Sequence, residues 1–586
     1  MAIEFTGEQL EYINSSIKEH VFLEACPGSG KTEVVAAKVA QELKSWNTGT
    51  VGIAILSFAN SATDELTKRI SKHLSPGRSM YPHFLGTFDS FIYKNIVNLL
   101  ATELTGFAGD GNDSSIRIVE PSGHLGYQSQ YQYGGRGKVF AHQFSLNGSN
   151  EIIFETGDSV KNRTLNALAF EDWQERDLLK AKNKMLEGGF ATYRDIEYLA
   201  LNALSDDELK HFVGLLVKRY PLIIIDECQD LSEEQLAILQ ALADNGAQLH
   251  FIGDLHQAIY GFRDVEPDKV KQFVKINKFT ALKLSRNFRS CQNIVNLCSI
   301  ITGRHDITGN VSWLDSRCEV IQYDKCPTEL IETFEERCNG FKHNVIVSRG
   351  HSILRKFQTS ATKLNNIQQL ALAIKQFNPN NMEALNNSLE LFSEFIRYHL
   401  KESCKPRSFN CPQSVDSSLA WRRFLCKSLE HLADNGLQNM KVSWSDWVKL
   451  SKALVRTLTK LDFCTEAIST ALTPLNEVNL ASPAGLAKKE VNTFLGSTAK
   501  STLSLSKSTI HGAKGETHDV TIVVSTAKAG GQPGSHWMSW LSDPESEAAR
   551  FAYVASSRPQ HHLIWAVKKL KNKEKEVLEE VGFKVR

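Results

Sequence analysis

A short apolar run that enters a glycine-rich turn, followed by a helical pattern, constrains this chain more than any other feature. The run is Val21–Ala25, the turn ends at Gly30, and Lys31-Thr32 leads into a helix predicted over Glu33–Leu43. Glycines allow backbone N–H groups to converge on phosphate oxygens, and the positive N-terminal end of the next helix adds to the attraction. An ordinary glycine turn is the alternative, but it leaves the strand-loop-helix context unexplained. We therefore predict a nucleotide site.

Eight consecutive residues form this predicted phosphate loop: Ala25, Cys26, Pro27, Gly28, Ser29, Gly30, Lys31 and Thr32. The loop departs by one position from the pattern GxxxxGK[ST], because Ala25 stands where the first glycine is expected. We expect the Lys31 ammonium to reach the terminal phosphates and the Thr32 hydroxyl to coordinate Mg²⁺.

Two carboxylates follow another apolar run and supply the second half of the site. Asp226 and Glu227 come directly after Pro221–Ile225. A buried parallel strand presents such residues at its carboxyl end, where α/β sheets bind ligands. Asp226 suits a Mg²⁺ contact, and Glu227 suits the general base that polarises the attacking water. Acids after a strand are also common as helix caps, but the upstream phosphate loop favours catalysis.

Short apolar runs alternate with helical patterns along much of the chain. The further runs are Val51–Leu56, Gln248–Asp254, Asn344–Val347, Val520–Val524 and His562–Val567. This alternation predicts an α/β protein with parallel sheets covered on both faces. Two stretches interrupt it: residues 101–165 are polar, with a hairpin expected over Phe144–Val160 around Asn147-Gly148, and residues 361–500 are mostly helical. We expect two cores, each with an insertion.

Composition limits which other classes of protein this chain can belong to. With 67 Lys+Arg against 66 Asp+Glu in 586 residues, no overall basic field indicates a nucleic-acid partner, so any binding charge must be local. The 11 cysteines form no CxxC pair, which favours reduced structural thiols over a metal or disulfide framework. We see no apolar run near the ~18 residues of a membrane span and no secretion signal, and therefore expect a cytoplasmic protein without membrane contact.

The order Asp226-Glu227-Cys228-Gln229-Asp230 resembles motif II of the superfamily 1A helicases of the UvrD/Rep (PcrA-like) type. The segments similar to the other motifs of that family lie in the family's order: Phe5–Gln9 (Q motif), Leu56–Asn60 (Ia), Gly86–Phe91 (Ib), Gly253–Arg263 (III), Leu284–Ser290 (IV), Thr509–Gly515 (V) and Tyr553–Arg558 (VI). The resemblance covers residue 5 to about residue 567 outside the insertions.

The resemblance implies two RecA-like parallel-sheet P-loop cores, each carrying an inserted subdomain. The implied division is core 1A at 1–100 and 201–285, a 1B-like insertion, partly β, at 101–200, core 2A at 286–360 and 501–586, and a helical 2B-like insertion at 361–500. ATP would lie between the two cores.

The resemblance also assigns nucleotide contacts. Gln9 would recognise adenine, Phe288 would stack on it, and Glu516, one place earlier than the family's acid, would contact the ribose. Three arginines would meet the γ-phosphate: Arg263, Arg289 and Arg558. Gln257 would connect the γ-phosphate to the DNA-binding side.

Five residues are the DNA contacts that the resemblance implies: Phe58, Asn60, Tyr260, Phe262 and His511. Bases stack on aromatic faces without sequence preference, for ~1–3 kcal/mol each. Plain core packing is the alternative for Phe58 and Phe262.

The implied function is an ATP- and Mg²⁺-dependent DNA helicase or translocase that moves 3′→5′ on single-stranded or tailed duplex DNA, for example in DNA repair. The alternative is a DNA-stimulated ATPase subunit. It would sense nucleic acid and regulate a separate nuclease, for example in antiviral defence, with little unwinding of its own.

Overall fold

The computed structural model describes residues 4–586 except 47–48, 75–79, 112, 124, 135–136, 260, 262–265, 311–316, 358–364, 380, 406–407, 493–504 and 529–533. The chain divides into two compact units: Met1–Leu354 with Leu505–Arg586, and Arg355–Ser504. None of the helices among the described residues has both the length and the apolar character needed to cross a membrane.

The first sheet of the larger unit has six parallel strands among the described residues. Their order across the sheet is Thr280–Leu284, Val21–Ala25, Gln248–Gly253, Leu222–Asp226, Ile53–Ser57 and Phe84–Thr87. Ile223 and Ile225 belong to one apolar cluster, whereas Leu222 and Ile224 belong to another. Because side chains alternate along a strand, both faces of this sheet are buried.

Helices surround this first sheet, and their apolar side chains complete the two apolar clusters on its faces. They are Gly7–Ile13, Lys31–Ser45, Asn60–His73, Phe88–Ile92, Ala101–Thr105, Tyr193–Ser205, Lys210–Arg219, Glu233–Asp244 and Pro267–Ile276. The helix predicted over Glu33–Leu43 lies within Lys31–Ser45.

The second sheet of the same unit also has six parallel strands in the part of the chain that is described. Their order is Leu505–Thr509, Asn344–Ser348, His518–Val524, Pro559–Lys568, Arg317–Tyr323 and Lys584–Val585. A short parallel pair, Arg286–Cys291 with Thr308–Asn310, lies in the chain between the two sheets. The helices of this region are Gln292–Thr302, Ile331–Cys338, His351–Phe357, Trp537–Trp540, Glu547–Ser556 and Asn572–Glu580. The predicted α/β class with two parallel-sheet cores is confirmed.

The polar stretch after residue 100 combines hairpins with helices. Gln128–Tyr133 pairs antiparallel with Gly137–Phe140, and Phe144–Leu146 pairs antiparallel with Ile152–Phe154. The second pair confirms the hairpin predicted around Asn147-Gly148. The other elements here are the helices Ser159–Asn166 and Asp172–Glu187 and the paired short strands Arg117–Ile118 and Phe190–Ala191.

The smaller unit is built from helices around its own core in the part that is described. These helices are Asn366–Gln376, Met382–Arg397, Ser418–Leu432, Trp444–Val455 and Glu466–Ala471. Trp421, Trp444 and Trp447 are fully or almost fully buried among them. A large aromatic side chain of this kind buries about 150–250 Å².

Candidate nucleotide site and nucleic-acid surface

One cleft of about 370 Å³ in the larger unit brings together most of the residues predicted to bind the nucleotide. The predicted residues that line it are Cys26, Pro27, Gly28, Ser29, Gly30, Lys31, Thr32, Asp226, Glu227, Gln257, Phe288, Arg289 and Arg558. Ala25 is buried at the end of its strand. Both cores therefore contribute to this cleft.

The phosphate loop has the backbone that its glycines predict. Gly28 has φ +70° and Gly30 has φ +80°, in the left-handed region that favours glycine. Gly28 also lies against the second core, because its carbonyl accepts a 2.9 Å hydrogen bond from the Phe288 N–H. The Ser29 hydroxyl is buried and makes no hydrogen bond to any described residue. Such a donor fits an oxygen-rich ligand such as a phosphate.

The predicted nucleoside contacts differ in their surroundings. Gln9 is buried, and its amide donates a 3.0 Å hydrogen bond to the Ser29 carbonyl of the phosphate loop. The Phe288 ring is 39% exposed at the cleft. Glu516 is not among the lining residues; its carboxylate lies 3.0 Å from Nε2 of His518. The ribose contact of Glu516 stays a prediction.

Lys31 and Glu227 form an ion pair at the centre of the cleft, with Nζ 2.8 Å from Oε1. Burial favours the neutral form of Glu227, but the charges of Lys31 and Lys514 hold its pKa below the usual range. Burial raises the pKa of Asp226, and the charge of Glu227 adds to that shift, although Lys31 opposes it. The strand therefore ends in more negative charge than the nearby lysine neutralises.

This donor set fits a magnesium ion. The Thr32 hydroxyl and the Asp226 carboxylate both line the cleft, and both are the hard oxygen ligands that Mg²⁺ prefers. A bound cation would also stabilise the ionised form of the buried Asp226.

Two arginines face the cleft from the second core: Arg558 is buried, and Arg289 is partly buried. Nη2 of Arg558 donates a 2.8 Å hydrogen bond to Oε1 of Gln257, and Nη1 of Arg289 donates a 3.1 Å bond to the Ser557 carbonyl. Burial and then the neighbouring charge of Arg558 lower the pKa of Arg289 to about 9. Because these acceptors are neutral, an anion in the cleft would relieve the repulsion between the two cations.

The predicted DNA contacts that the structure describes are Phe58, Asn60 and His511, and none of them lines this cleft. Phe58 packs against the first core and also lines a second cavity of about 390 Å³, at the carboxyl ends of Ile53–Ser57 and Phe84–Thr87. Asn60 is exposed at the start of its helix. Nε2 of His511 lies 3.0 Å from the Ile259 carbonyl oxygen. The three predictions that fall on Tyr260, Phe262 and Arg263 lie outside the described residues.

Three charged residues at these sites were not predicted from the sequence. Arg69 lines the nucleotide cleft and is held by Glu33 at 2.5 Å. Lys514 lies 2.6 Å from Asp230, and Arg304 lies 3.3 Å from Asp254. Lys514 belongs to the segment that resembles motif V, and that resemblance is the local sequence signal that could have identified it. Nothing in the sequence around Arg304 indicates its partner.

The family described as the UvrD/REP helicase N-terminal domain matches residues 5–278. The chain is 28% identical over 320 residues to the ATP-dependent DNA helicase srs2 of Schizosaccharomyces pombe, covering 51% of this chain and 35% of that protein. It is 24% identical over 331 residues to DNA helicase II of Haemophilus influenzae, covering 53% and 42% of the two chains. A shorter match, 35% over 127 residues, covers 21% of this chain and 10% of an ATP-dependent helicase/nuclease protein of Leuconostoc mesenteroides.

The chain thus spans less than half the length of these relatives. The family match ends at residue 278, so it includes the phosphate loop and the carboxylate pair. The second parallel sheet, and Arg289 and Arg558 at the cleft, come after the matched region in the chain. The chain therefore contains a UvrD/REP helicase N-terminal domain over residues 5–278.

Proposed function

We propose that this chain is an ATP-dependent DNA helicase and translocase that moves 3′→5′ along single-stranded DNA. The observation that carries the proposal is the composition of the nucleotide cleft. The first core contributes the phosphate loop and the Asp226-Glu227 pair, and the second core contributes Arg289 and Arg558.

In the proposed reaction, Glu227 accepts a proton from the attacking water while Lys31 binds the terminal phosphates. Lys31 must then exchange part of its 2.8 Å contact with Glu227 for phosphate oxygens. Arg289 and Arg558 stabilise the charge that develops on the transferred phosphoryl group, where one arginine contributes ~10³–10⁵ in rate. Thr32 and Asp226 would hold Mg²⁺, which neutralises phosphate charge.

ATP hydrolysis is coupled to movement of the two cores because residues of both cores contact the charge of the phosphates. With ATP bound, Arg289 and Arg558 are attracted towards the phosphate loop; after phosphate leaves, that attraction is lost. Gln257 contacts Arg558 and lies in the segment that leads to Ile259, the partner of His511. This route connects the nucleotide to the predicted DNA contacts.

The predicted aromatic DNA contacts suit a translocase, since stacking holds any base sequence. Phe58 supports this role because its ring lines a cavity as well as packing on the core. The names of the relatives, among them an ATP-dependent DNA helicase, support the choice of DNA as the substrate.

The test is ATP hydrolysis by the purified chain with and without single-stranded DNA, followed by strand displacement on duplexes with a 3′ or a 5′ tail. We expect DNA to raise the ATPase rate and the 3′-tailed duplex alone to be unwound. An ATPase rate that single-stranded DNA leaves unchanged would contradict the proposal. DNA-stimulated hydrolysis without unwinding of either duplex would instead favour the sensing role with a separate nuclease.

A further inference from the structure

We propose that Arg304 is a positioning residue for ATP hydrolysis, acting through Asp254 to place Gln257 and Arg558 at the nucleotide cleft. This inference rests on the function proposed above. Arg304 itself is not among the residues that line the cleft. Any effect of Arg304 on hydrolysis must therefore pass through its neighbours.

The first step is the contact between Arg304 and Asp254, which joins the two cores. Asp254 directly follows the Gln248–Gly253 strand of the first sheet and is fully buried. Its Oδ1 lies 3.3 Å from Nη1 of Arg304, and its Oδ2 accepts a 3.1 Å hydrogen bond from the Tyr553 hydroxyl. Burial opposes the charge of Arg304, but the negative charge of Asp254 holds the pKa of this arginine above its ordinary value.

The second step leads from Asp254 to the cleft. Nε2 of Gln257 donates a 2.8 Å hydrogen bond to Oδ2 of Asp254, and Oε1 of Gln257 accepts a 2.8 Å hydrogen bond from Nη2 of Arg558. An ionised carboxylate can only accept hydrogen bonds, so it selects the NH₂ end of the Gln257 amide. The carbonyl end then necessarily faces Arg558.

The third step connects the same aspartate to Glu227. The Asp254 N–H donates a 3.1 Å hydrogen bond to Oε1 of Gln229, and the Gln229 NH₂ group donates to Oε2 of Glu227. Asp254 therefore contacts two series of hydrogen-bonded residues. One series leads to Glu227, the predicted general base, and the other leads to Arg558. Arg304 supplies the cation that pairs with this buried carboxylate.

The test uses the full-length chain with saturating single-stranded DNA, and it measures kcat and KM for ATP in Arg304→Met, Arg304→Lys and Gln257→Ala. We expect Arg304→Met to lower kcat by about tenfold or more, the scale of one hydrogen bond to a charged group, with KM within about twofold. Arg304→Lys should recover part of kcat because it restores the charge. In the Gln257→Ala background, Arg304→Met should cause a smaller loss of kcat than in the wild type, because the route through Gln257 is already broken and only the route through Gln229 remains.

Two further variants keep the test decisive. Tyr553→Phe removes only the hydroxyl that contacts the same carboxylate, so it replaces Arg304→Met if that variant does not fold. Its loss of kcat should also be smaller in the Gln257→Ala background than in the wild type. Arg337→Met is the matched control, because Nε of Arg337 lies 3.0 Å from the buried Glu319 within the second core and away from the cleft. It should lower Tm and leave kcat unchanged.

The possible results distinguish a failure of the positioning role from a failure of the proposed function. If the wild type hydrolyses ATP normally and Arg304→Met lowers kcat by the same factor in the wild-type and Gln257→Ala backgrounds, the positioning role is overturned. The proposed function is not overturned. An Arg304→Met variant that, like Arg337→Met, changes only Tm would also overturn the positioning role alone. A wild-type chain that hydrolyses no ATP would overturn the proposed function and this inference together.

Discussion

Lys514 of the second core lies 2.8 and 2.6 Å from the two carboxylate oxygens of Asp230 in the first core. Both side chains are more than nine-tenths buried. Asp230 follows Glu227 by three positions and lines the same cavity as Phe58, and Gly515, next to Lys514, lines the nucleotide cleft. This ion pair therefore lies between the nucleotide cleft and the predicted DNA-binding cavity.

Replacing Lys514 with Met should lower the free energy of unfolding by about 3–5 kcal/mol, because it leaves the Asp230 carboxylate buried without its cation. Urea unfolding at pH 7.5 checks this value. Burial already raises the pKa of Asp230 to about 6 even with Lys514 present, so the carboxylate is ionised at that pH. The Lys514→Met/Asp230→Asn double variant should be destabilised less than Lys514→Met; equal or greater destabilisation would contradict the pairing.

Glu227→Gln should leave ATP binding intact and lower kcat by about 10²–10⁴, the usual contribution of a general base. The amide keeps a contact for Lys31 but cannot accept the proton from water. Equilibrium binding of ATP and single-turnover hydrolysis measure the two effects separately. Glu430→Gln, on a helix of the smaller unit, is the control and should not change either. Normal hydrolysis by Glu227→Gln would exclude this residue as the base.

Gly28→Ala should weaken ATP binding by about tenfold or more and cost about 1–3 kcal/mol of stability through backbone strain. A Cβ at this position would lie 2.5 Å from Cβ of Arg289 and 2.8 Å from Oδ1 of Asn287, and φ is +70°. Isothermal titration with ATP and thermal unfolding report the two effects. Gly7→Ala is the matched control, because a Cβ at Gly7 meets no described atom within 4 Å. An unchanged ATP affinity in Gly28→Ala would contradict the close approach of the two cores.

His562 should make stability depend on pH. Burial lowers its pKa to about 4, with Glu319 opposing the shift and Arg317 and Arg337 adding to it. The unfolded chain, with an ordinary pKa of about 6.5, therefore binds more protons between pH 4 and 6.5, and stability is lost as the pH falls through that window.

The stability that His562 contributes should fall by about 2 kcal/mol between pH 6.5 and 5, at about 1.4 kcal/mol per pH unit. Comparing urea unfolding of the wild type and His562→Gln at both pH values isolates this histidine from the other titrating groups. A constant difference between the two proteins would contradict the lowered pKa.

Much of the fold could be predicted because the buried strands are continuous apolar runs. The prediction at Val51–Leu56 corresponds to the strand Ile53–Ser57, and the one at Val520–Val524 lies within His518–Val524. Among the strands that were not predicted, two show the physical reasons. Thr280–Leu284 is an edge strand with mostly exposed residues, and Arg317–Tyr323 contains the buried Glu319, whose partner Arg337 is distant in sequence.

The sequence by itself determined the parts of this protein that depend on near neighbours. The phosphate loop needs only a strand, glycines able to take positive φ and the first turn of a helix, and the Asp226-Glu227 pair needs only the end of a buried strand. The tertiary structure alone decided that Arg558 meets Gln257, that Lys514 meets Asp230 and that Arg304 meets Asp254. Such pairs form between residues far apart in the chain, so their distances depend on how two separately buried sheets pack, and no local pattern encodes that packing.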